Sequence, residues 1–364
     1  MTYPGSHQNN PSKVMIALSG GVDSAVAAAL LVRQGYNVQG VTLHLWSEAG
    51  CEQENRCCTP ETRQLAQNLC RRLEIPFNVL DTTDVFRSKV VQRFLDGFAK
   101  GETPNPCIFC NQDIKWGFLH SYARSAGADF IATGHYARIN KAEDGKVELW
   151  RAADHTKDQT YFLARLNQVQ LTHTIFPLGD LYKEQVYQMA AEMDLPSADQ
   201  PESQDLCFLG GVDFQDFIQK YQPELAKPGP VINTSGEIIG EHQGLASYTI
   251  GQRKSLPPVG SPIYVLKKDL INNTLQVGSK DDLGTQHLIA KDIHWISGQP
   301  PDDPFSADVK IRSGANPVKA NVRLETSTQA VVRFEKPLYG VAPGQFVAFY
   351  SGERVLGGGD IAVE

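Results

Sequence analysis

The sequence predicts an α/β protein: a doubly wound parallel-sheet nucleotide-binding domain, then a small β domain, then a C-terminal β-barrel. Three observations predict it. Strand-like and helix-like segments alternate through the first half, which implies a parallel sheet covered on both faces. A Ser19-Gly20-Gly21 break separates the first strand from the first helix. From Pro228 onward helical periodicity nearly vanishes and Gly-punctuated alternating segments replace it, the pattern of small β domains and barrels.

Residues 13–18 form a short apolar run and read as the first strand; 23–34 read as a helix. The β-branched stretch 36–46 is a second strand, and Leu65, Leu69 and Leu73 give 60–73 helical spacing. A strand over 77–80, helices over 85–98 and 111–126, and a strand over 129–133 complete the pattern. Later strands are expected at 230–232, 246–250, 263–268, 275–277, 287–296, 308–311, 318–324, 330–334 and 345–350. The expected boundaries are a disordered tail over 1–12, a catalytic domain over 13–221, a central β domain over 222–284 and a barrel over 285–364.

With 364 residues and 41% hydrophobic content, the chain has room for two or three domains. A net charge of −7 argues mildly against a nucleic-acid partner, because phosphate contacts need Lys and Arg, although only the field at the docking face matters. No apolar run approaches the ~20 residues that cross a bilayer, and the polar N-terminus lacks a secretory core. No membrane partner is expected, and the location is expected to be cytoplasmic. The seven cysteines are odd in number and unevenly spaced, which suits a reducing compartment and catalytic or metal-binding thiols.

Ser19-Gly20-Gly21-Val22-Asp23-Ser24 lies where glycines let the backbone approach a phosphate and a helix N-terminus supplies amide donors. It does not match G-x-x-x-x-G-K-S/T, and no lysine follows. The segment resembles the S-G-G-x-D-S loop of the ATP pyrophosphatase superfamily, whose members cut ATP between the α and β phosphates and transfer AMP to an oxygen. That resemblance implies a pyrophosphate site at Ala17, Leu18, Ser19, Gly20, Gly21, Val22, Asp23 and Ser24. It further implies an adenine contact at Leu43, Gly134 beneath the nucleotide, and Mg²⁺ with the ATP; Asp23 is a candidate for the metal or phosphate side.

Thr103-Pro104-Asn105-Pro106-Cys107-Ile108-Phe109-Cys110-Asn111 reads as a rigid loop entering a helix at Asn111, where the helix dipole favours a thiolate. Ser203-Gln204-Asp205-Leu206-Cys207-Phe208 places another thiol among polar residues. With T-G-H-Y-A at 133–137, K-D-Q-T-Y-F-L at 157–163, Y-T-I-G-Q-R-K at 248–254 and P-G-Q at 343–345, these stretches closely resemble the tRNA-specific 2-thiouridylase family. The resemblance runs in family order across nearly the whole chain.

It implies ATP-dependent 2-thiolation of the wobble uridine, with tRNA and a sulfur-donor protein (a persulfide carrier or a cysteine desulfurase system) as partners. Adenylation turns the uracil C2 oxygen into a leaving group. Cys207 then carries a persulfide whose terminal sulfur attacks C2, or is freed as sulfide when Cys110 attacks to form a disulfide. Asn105, Pro106 and Cys107 would surround the target base. His135, Lys157, Asp158 and Gln159 would lie near the anticodon loop, with Lys310, Arg312 and Gln345 reaching the anticodon region from the barrel. Many relatives carry Asp at the position of Cys107, and an Arg-Tyr-Arg run where this chain has Lys310-Ile311-Arg312. The first change opens an alternative, in which Cys107, Cys110 and Cys207 ligate an iron–sulfur cluster (4Fe-4S) with one open iron.

Plainer readings stand beside these. Asp158 caps the helix beginning at Gln159, His135 is a structural histidine, and Cys70 is packing. Arg253, Lys254, Lys267, Lys268, Lys319 and Arg323 form the positive surface or merely a solvated face. A zinc site built on Cys57-Cys58 lacks closed tetrahedral spacing, and Cys51 sits in a polar loop. The rival functions are another AMP-forming enzyme, such as a tRNA-lysidine synthase, and a non-catalytic RNA-binding protein.

Overall fold

The computed structural model describes residues 11–47, 59–196 and 206–362. The expectations placed on residues 1–10, on Cys51 and Cys57-Cys58, and on Ser203-Gln204-Asp205 lie outside the described residues.

The N-terminal half contains β1 (Lys13–Ala17), β2 (Asn37–His44), β3 (Phe77–Asp81), β4 (Phe130–Ala132), β5 (Ala137–Lys141), β6 (Val147–Arg151) and β7 (Thr174–Ile175). Five of these make a parallel sheet in the order β3-β2-β1-β4-β7. Alternate residues of one strand enter different cores, as the two-residue repeat of a strand requires. Met15, Val41 and Ile131 pack on one face, and Val14, Ile16, Val38 and Ala132 on the other. The helix Val22–Arg33 buries Ala25 through Ala29 against the second face. Small side chains there allow it to lie close to the sheet. Helix 83–99 runs through a π-helical segment, Arg87–Val91, and covers the first face with Phe86, Val90, Phe94 and Phe98.

The central domain holds β8 (Gly229–Ile232), β9 (Ile238–His242), β10 (Tyr264–Asp269) and β11 (Thr274–Gly278), ordered β10-β11-β8-β9 around Val231, Val265, Leu275 and Val277. The expected strand at 246–250 is not formed. Gly244, at φ +109°, turns the chain, and a single 3-10 turn over Leu245–Ser247 follows. Leu245, Ala246 and Tyr248 are buried there, so the apolar alternation reflects core packing of a loop rather than a ladder.

The C-terminal domain is a closed barrel of six antiparallel strands: β12 (Gly284–Trp295), β13 (Phe305–Lys310), β14 (Val318–Thr326), β15 (Gln329–Tyr339), β16 (Phe346–Ser351) and β17 (Arg354–Ala362). Their order is β12-β15-β14-β13-β16-β17, and a β12–β17 pairing closes the ring. The hairpin β5–β6, which the sequence did not announce, pairs with β17 through Arg354↔Trp150 and Val355↔Leu149. Arg354 also meets Glu148 at 2.7 Å. A piece of the catalytic domain thus extends the barrel sheet. Among the described residues, no helix is long and apolar enough to cross a membrane.

Cys70 is buried beneath β2, and burial pushes its thiol up to about 11. A Cβ added at Gly40 would lie 2.5 Å from its sulfur and 2.8 Å from Leu18 Cδ1. Gly40→Ala is therefore expected to overpack this face and destabilise the catalytic domain by about 1–3 kcal/mol. A urea midpoint equal to that of the unchanged protein would refute this.

Candidate functional site

In an open α/β sheet, ligands bind beyond the strand carboxyl ends where the strand order reverses. Here that point lies between β1 and β4, and both strands end in glycine-containing turns. After β1, Gly20 takes φ +79°, and a Cβ there would sit 2.7 Å from the Thr62 carbonyl oxygen. Ser24 braces the loop: its Oγ accepts from Ser19 N at 3.3 Å and donates to Gly21 O at 2.9 Å. Gly21 caps the helix with no side-chain bond, which leaves the first helical amides for an anion.

After β4, Gly134 presses its backbone onto this loop. A Cβ at Gly134 would lie 2.8 Å from Ser24 N and 2.9 Å from Asp23 C. His135 beside it is buried, and burial, reinforced by the Lys115 charge, holds it well below the usual histidine range. Its ring is therefore neutral. Lys115 Nζ lies 3.3 Å from Nε2, so Nε2 accepts and Nδ1–H donates to Thr133 Oγ1 at 2.7 Å.

Asp23 is engaged inside the protein. Lys183 Nζ meets Oδ1 and Oδ2 at 2.8 Å each, and the Tyr136 hydroxyl donates to Oδ1 at 2.7 Å. No motif in the sequence marked Lys183, and Tyr136 stood in the T-G-H-Y-A stretch without a role; only the fold brings both to the loop. Among the described residues, no three His, Cys, Asp or Glu side chains form a metal-holding group.

The segment around Cys107 differs from expectation. The helix starts at Pro106, not Asn111, because Asn105 caps it by accepting from Cys107 N at 3.2 Å and Pro106 fits its first position. Cys107 and Cys110 are therefore helical residues. A π-helical stretch, Cys110–Leu119, follows. Its wider turn brings residues five apart onto one face, and Cys110 and Lys115 both line the cavity. Farther along the chain, Phe208 is buried among Phe86, Phe94 and Phe217 and anchors Cys207 at the same opening.

One cavity of about 470 Å³ joins these parts. Its wall includes the loop from Ala17 to Ser24, Leu43, Gly134, Pro106, Cys107, Cys110, Asn111, Cys207, Lys157 and Gln159. The three thiols, Cys107, Cys110 and Cys207, share the cavity.

Of the residues expected to face RNA, Pro106, Cys107, His135, Lys157 and Gln159 lie in this wall, and Gln159 Oε1 accepts from Tyr136 N. Asp158 differs. Its side chain is wholly buried, bonding Arg151 Nε, Ala152 N and Thr160, so its carboxylate serves the fold. It precedes a 3-10 helix, Thr160–Leu163. Lys310 is likewise buried, 5% exposed, with Asp158 among the charges acting on it. Arg312 donates to the carbonyls of Ile250 and Gly340. Gln345 donates to Thr103 O at 2.7 Å, while Thr103 N donates to Pro343 O at 2.8 Å. The barrel thus grips the segment leading to Cys107. Of the expected positive surface, Lys319 is paired with Asp308 and Lys268 is largely buried.

Gly134→Ala is expected to displace the Asp23–Ser24 backbone and weaken ATP binding at least about tenfold without unfolding the chain. Lys183→Met is expected to lower ATP-dependent pyrophosphate release by a similar factor, because it leaves Asp23 uncompensated beside the phosphates. Unchanged ATP titrations of both variants would refute these assignments.

Comparison with known proteins adds a family. Residues 12–211 match the family model described as the tRNA methyl transferase HUP domain, 215–279 the tRNA methyl transferase PRC-barrel domain, and 285–361 the aminomethyltransferase beta-barrel domain. The chain is 43% identical to the tRNA-specific 2-thiouridylase MnmA of Chloroflexus aggregans over 96% of this chain and 98% of that protein. It is 42% identical to the protein of the same name from Roseiflexus castenholzii (96% and 99%) and 41% identical to that from Clostridioides difficile (96% and 98%).

Proposed function

The chain belongs to the tRNA-specific 2-thiouridylase family, and from that premise we propose that it replaces the 2-oxygen of the tRNA wobble uridine with sulfur, using ATP. The observation that carries this reading is the shared cavity: Cys110 and Cys207, far apart in sequence, open onto the space that the Ser19–Ser24 loop walls. The rival AMP-forming enzymes have no need of two thiols there.

The uracil C2 carbonyl is amide-like and lacks a leaving group. Its oxygen attacks the α-phosphorus of ATP, the α–β anhydride bond breaks, and pyrophosphate leaves. Amides at the start of helix Val22–Arg33 favour the developing negative charge. The terminal sulfur of a Cys207 persulfide then attacks C2, and the C2–O bond breaks with AMP taking the electron pair. The Cys110 thiolate attacks the Cys207 sulfur. That S–S bond breaks, its electron pair stays on the sulfur now joined to C2, and a Cys110–Cys207 disulfide forms. An external dithiol reduces the disulfide before the next turnover. The sulfur comes from a persulfide carrier or a cysteine desulfurase system, and the work is cytoplasmic. Among the described residues no three His, Cys, Asp or Glu side chains form a metal-holding group, so no step runs through a cluster.

The test is one turnover with persulfidated protein, ATP and tRNA. Cys207→Ser is expected to abolish 2-thiouridine, and Cys110→Ser to lower it at least about 100-fold while pyrophosphate release survives in both. Full thiolation by either variant would overturn the relay. So would stoichiometric iron in anaerobically purified protein that is lost on Cys107→Ser.

A further inference from the structure

Asn111 directly follows Cys110 and is 4% exposed in the cavity wall. Its Nδ2 donates to the Cys107 carbonyl at 3.1 Å. A carbonyl can only accept, so this bond fixes the amide's orientation and leaves Oδ1 as its acceptor end. That oxygen is buried and has no hydrogen-bond partner among the described residues. Buried acceptors in native proteins are satisfied with few exceptions, and each exception calls for a reason.

Three other polar side chains of the wall have their acceptors engaged. Asp23 accepts from Lys183 and Tyr136. Gln159 Oε1 accepts from the Tyr136 amide. His135 Nε2 faces Lys115 and Nδ1 faces Thr133. Asn111 Oδ1, by contrast, has no partner among the described residues, and it adjoins Cys110, the cysteine at which sulfur transfer is completed.

We propose that Asn111 Oδ1 accepts the N3–H of the target uracil, which makes Asn111 the residue that selects uridine over cytidine. This rests on the thiolation reading above. C2, the atom that receives sulfur, is bonded to N3, so any pose that holds C2 between Cys110 and Cys207 brings N3–H to the neighbourhood of Cys110. In cytidine N3 carries no hydrogen and presents a lone pair, which would meet the Oδ1 lone pairs and repel them. A site built to hydrogen-bond a substrate N–H rejects the analogue that lacks it. The contact also serves the first chemical step. As O2 attacks phosphorus, electron density drains from N3 and its proton becomes more acidic, so the bond to Oδ1 strengthens toward the transition state.

The test measures binding of anticodon stem-loop RNA without ATP, with uridine or 3-deazauridine at the target position. The second base replaces N3–H by C–H. The unchanged protein is expected to bind the 3-deaza RNA about tenfold more weakly, the loss of one neutral hydrogen bond. Asn111→Ala is expected to bind both RNAs with equal affinity, whereas a residue that only positions Cys107 would weaken both and leave the tenfold ratio intact. Equal binding of the two RNAs by the unchanged protein overturns the proposal without need of a variant, as does a tenfold ratio retained by Asn111→Ala. If the unchanged protein thiolates tRNA yet fails to discriminate, the Asn111 assignment alone falls. If it releases no pyrophosphate with ATP and tRNA, the thiolation reading falls with it.

Discussion

The nucleotide half of the molecule depends on a backbone contact that no side chain makes: Gly134, at the end of β4, rests on the Asp23–Ser24 peptide at the start of the first helix. The strand order reverses between β1 and β4, so their carboxyl ends diverge and open a crevice. For the crevice to grip a phosphate chain, the loop after β1 must be held rigidly enough that its amides stay aimed. Gly134 supports it from below, Thr62 crowds Gly20 from one side, and Ser24 ties it internally. Lys183 and Tyr136 then fix Asp23. A cation thus stands beside the loop without following it in sequence, as the lysine of a kinase-type loop would.

The thiol half is organised by helix geometry and aromatic packing. Asn105 and Pro106 start the helix early, and the π-helical stretch after Cys110 turns Cys110, Asn111 and Lys115 toward the cavity. Phe208, packed against three other phenylalanines, holds Cys207 in the same wall. Within this helix Ile114, Trp116 and Leu119 are buried.

The three domains are coupled through the segment just before Asn105. The barrel binds both polar backbone atoms of Thr103, and a Cβ at Gly344 would lie 2.6 Å from Glu102 Cβ. From the central domain, Lys268 donates to the Glu102 carbonyl at 3.3 Å. Burial pushes Lys268 down to about 8, opposed by the Glu102 charge, and pushes Glu102 up. The barrel and the central domain therefore act on the same backbone that positions the helix carrying Cys107 and Cys110.

The sequence by itself determined the alternating α/β half, the glycine loop, the cysteine-bearing segments and a β-rich C-terminus. Each of these is a local signal: a periodicity of two or 3.6, a turn residue, or a short motif. Tertiary structure alone decided the rest. Hairpin β5–β6 became part of the barrel sheet, the apolar run at 246–250 became a packed loop, and Asp158 turned inward to Arg151. Lys183 reached Asp23 across 160 positions, and the Asn111 acceptor was left buried with no partner among the described residues. The reason is physical. Hydrogen bonds, ion pairs and desolvation depend on what the folded chain brings within a few ångströms, and no local pattern records which distant residue that will be.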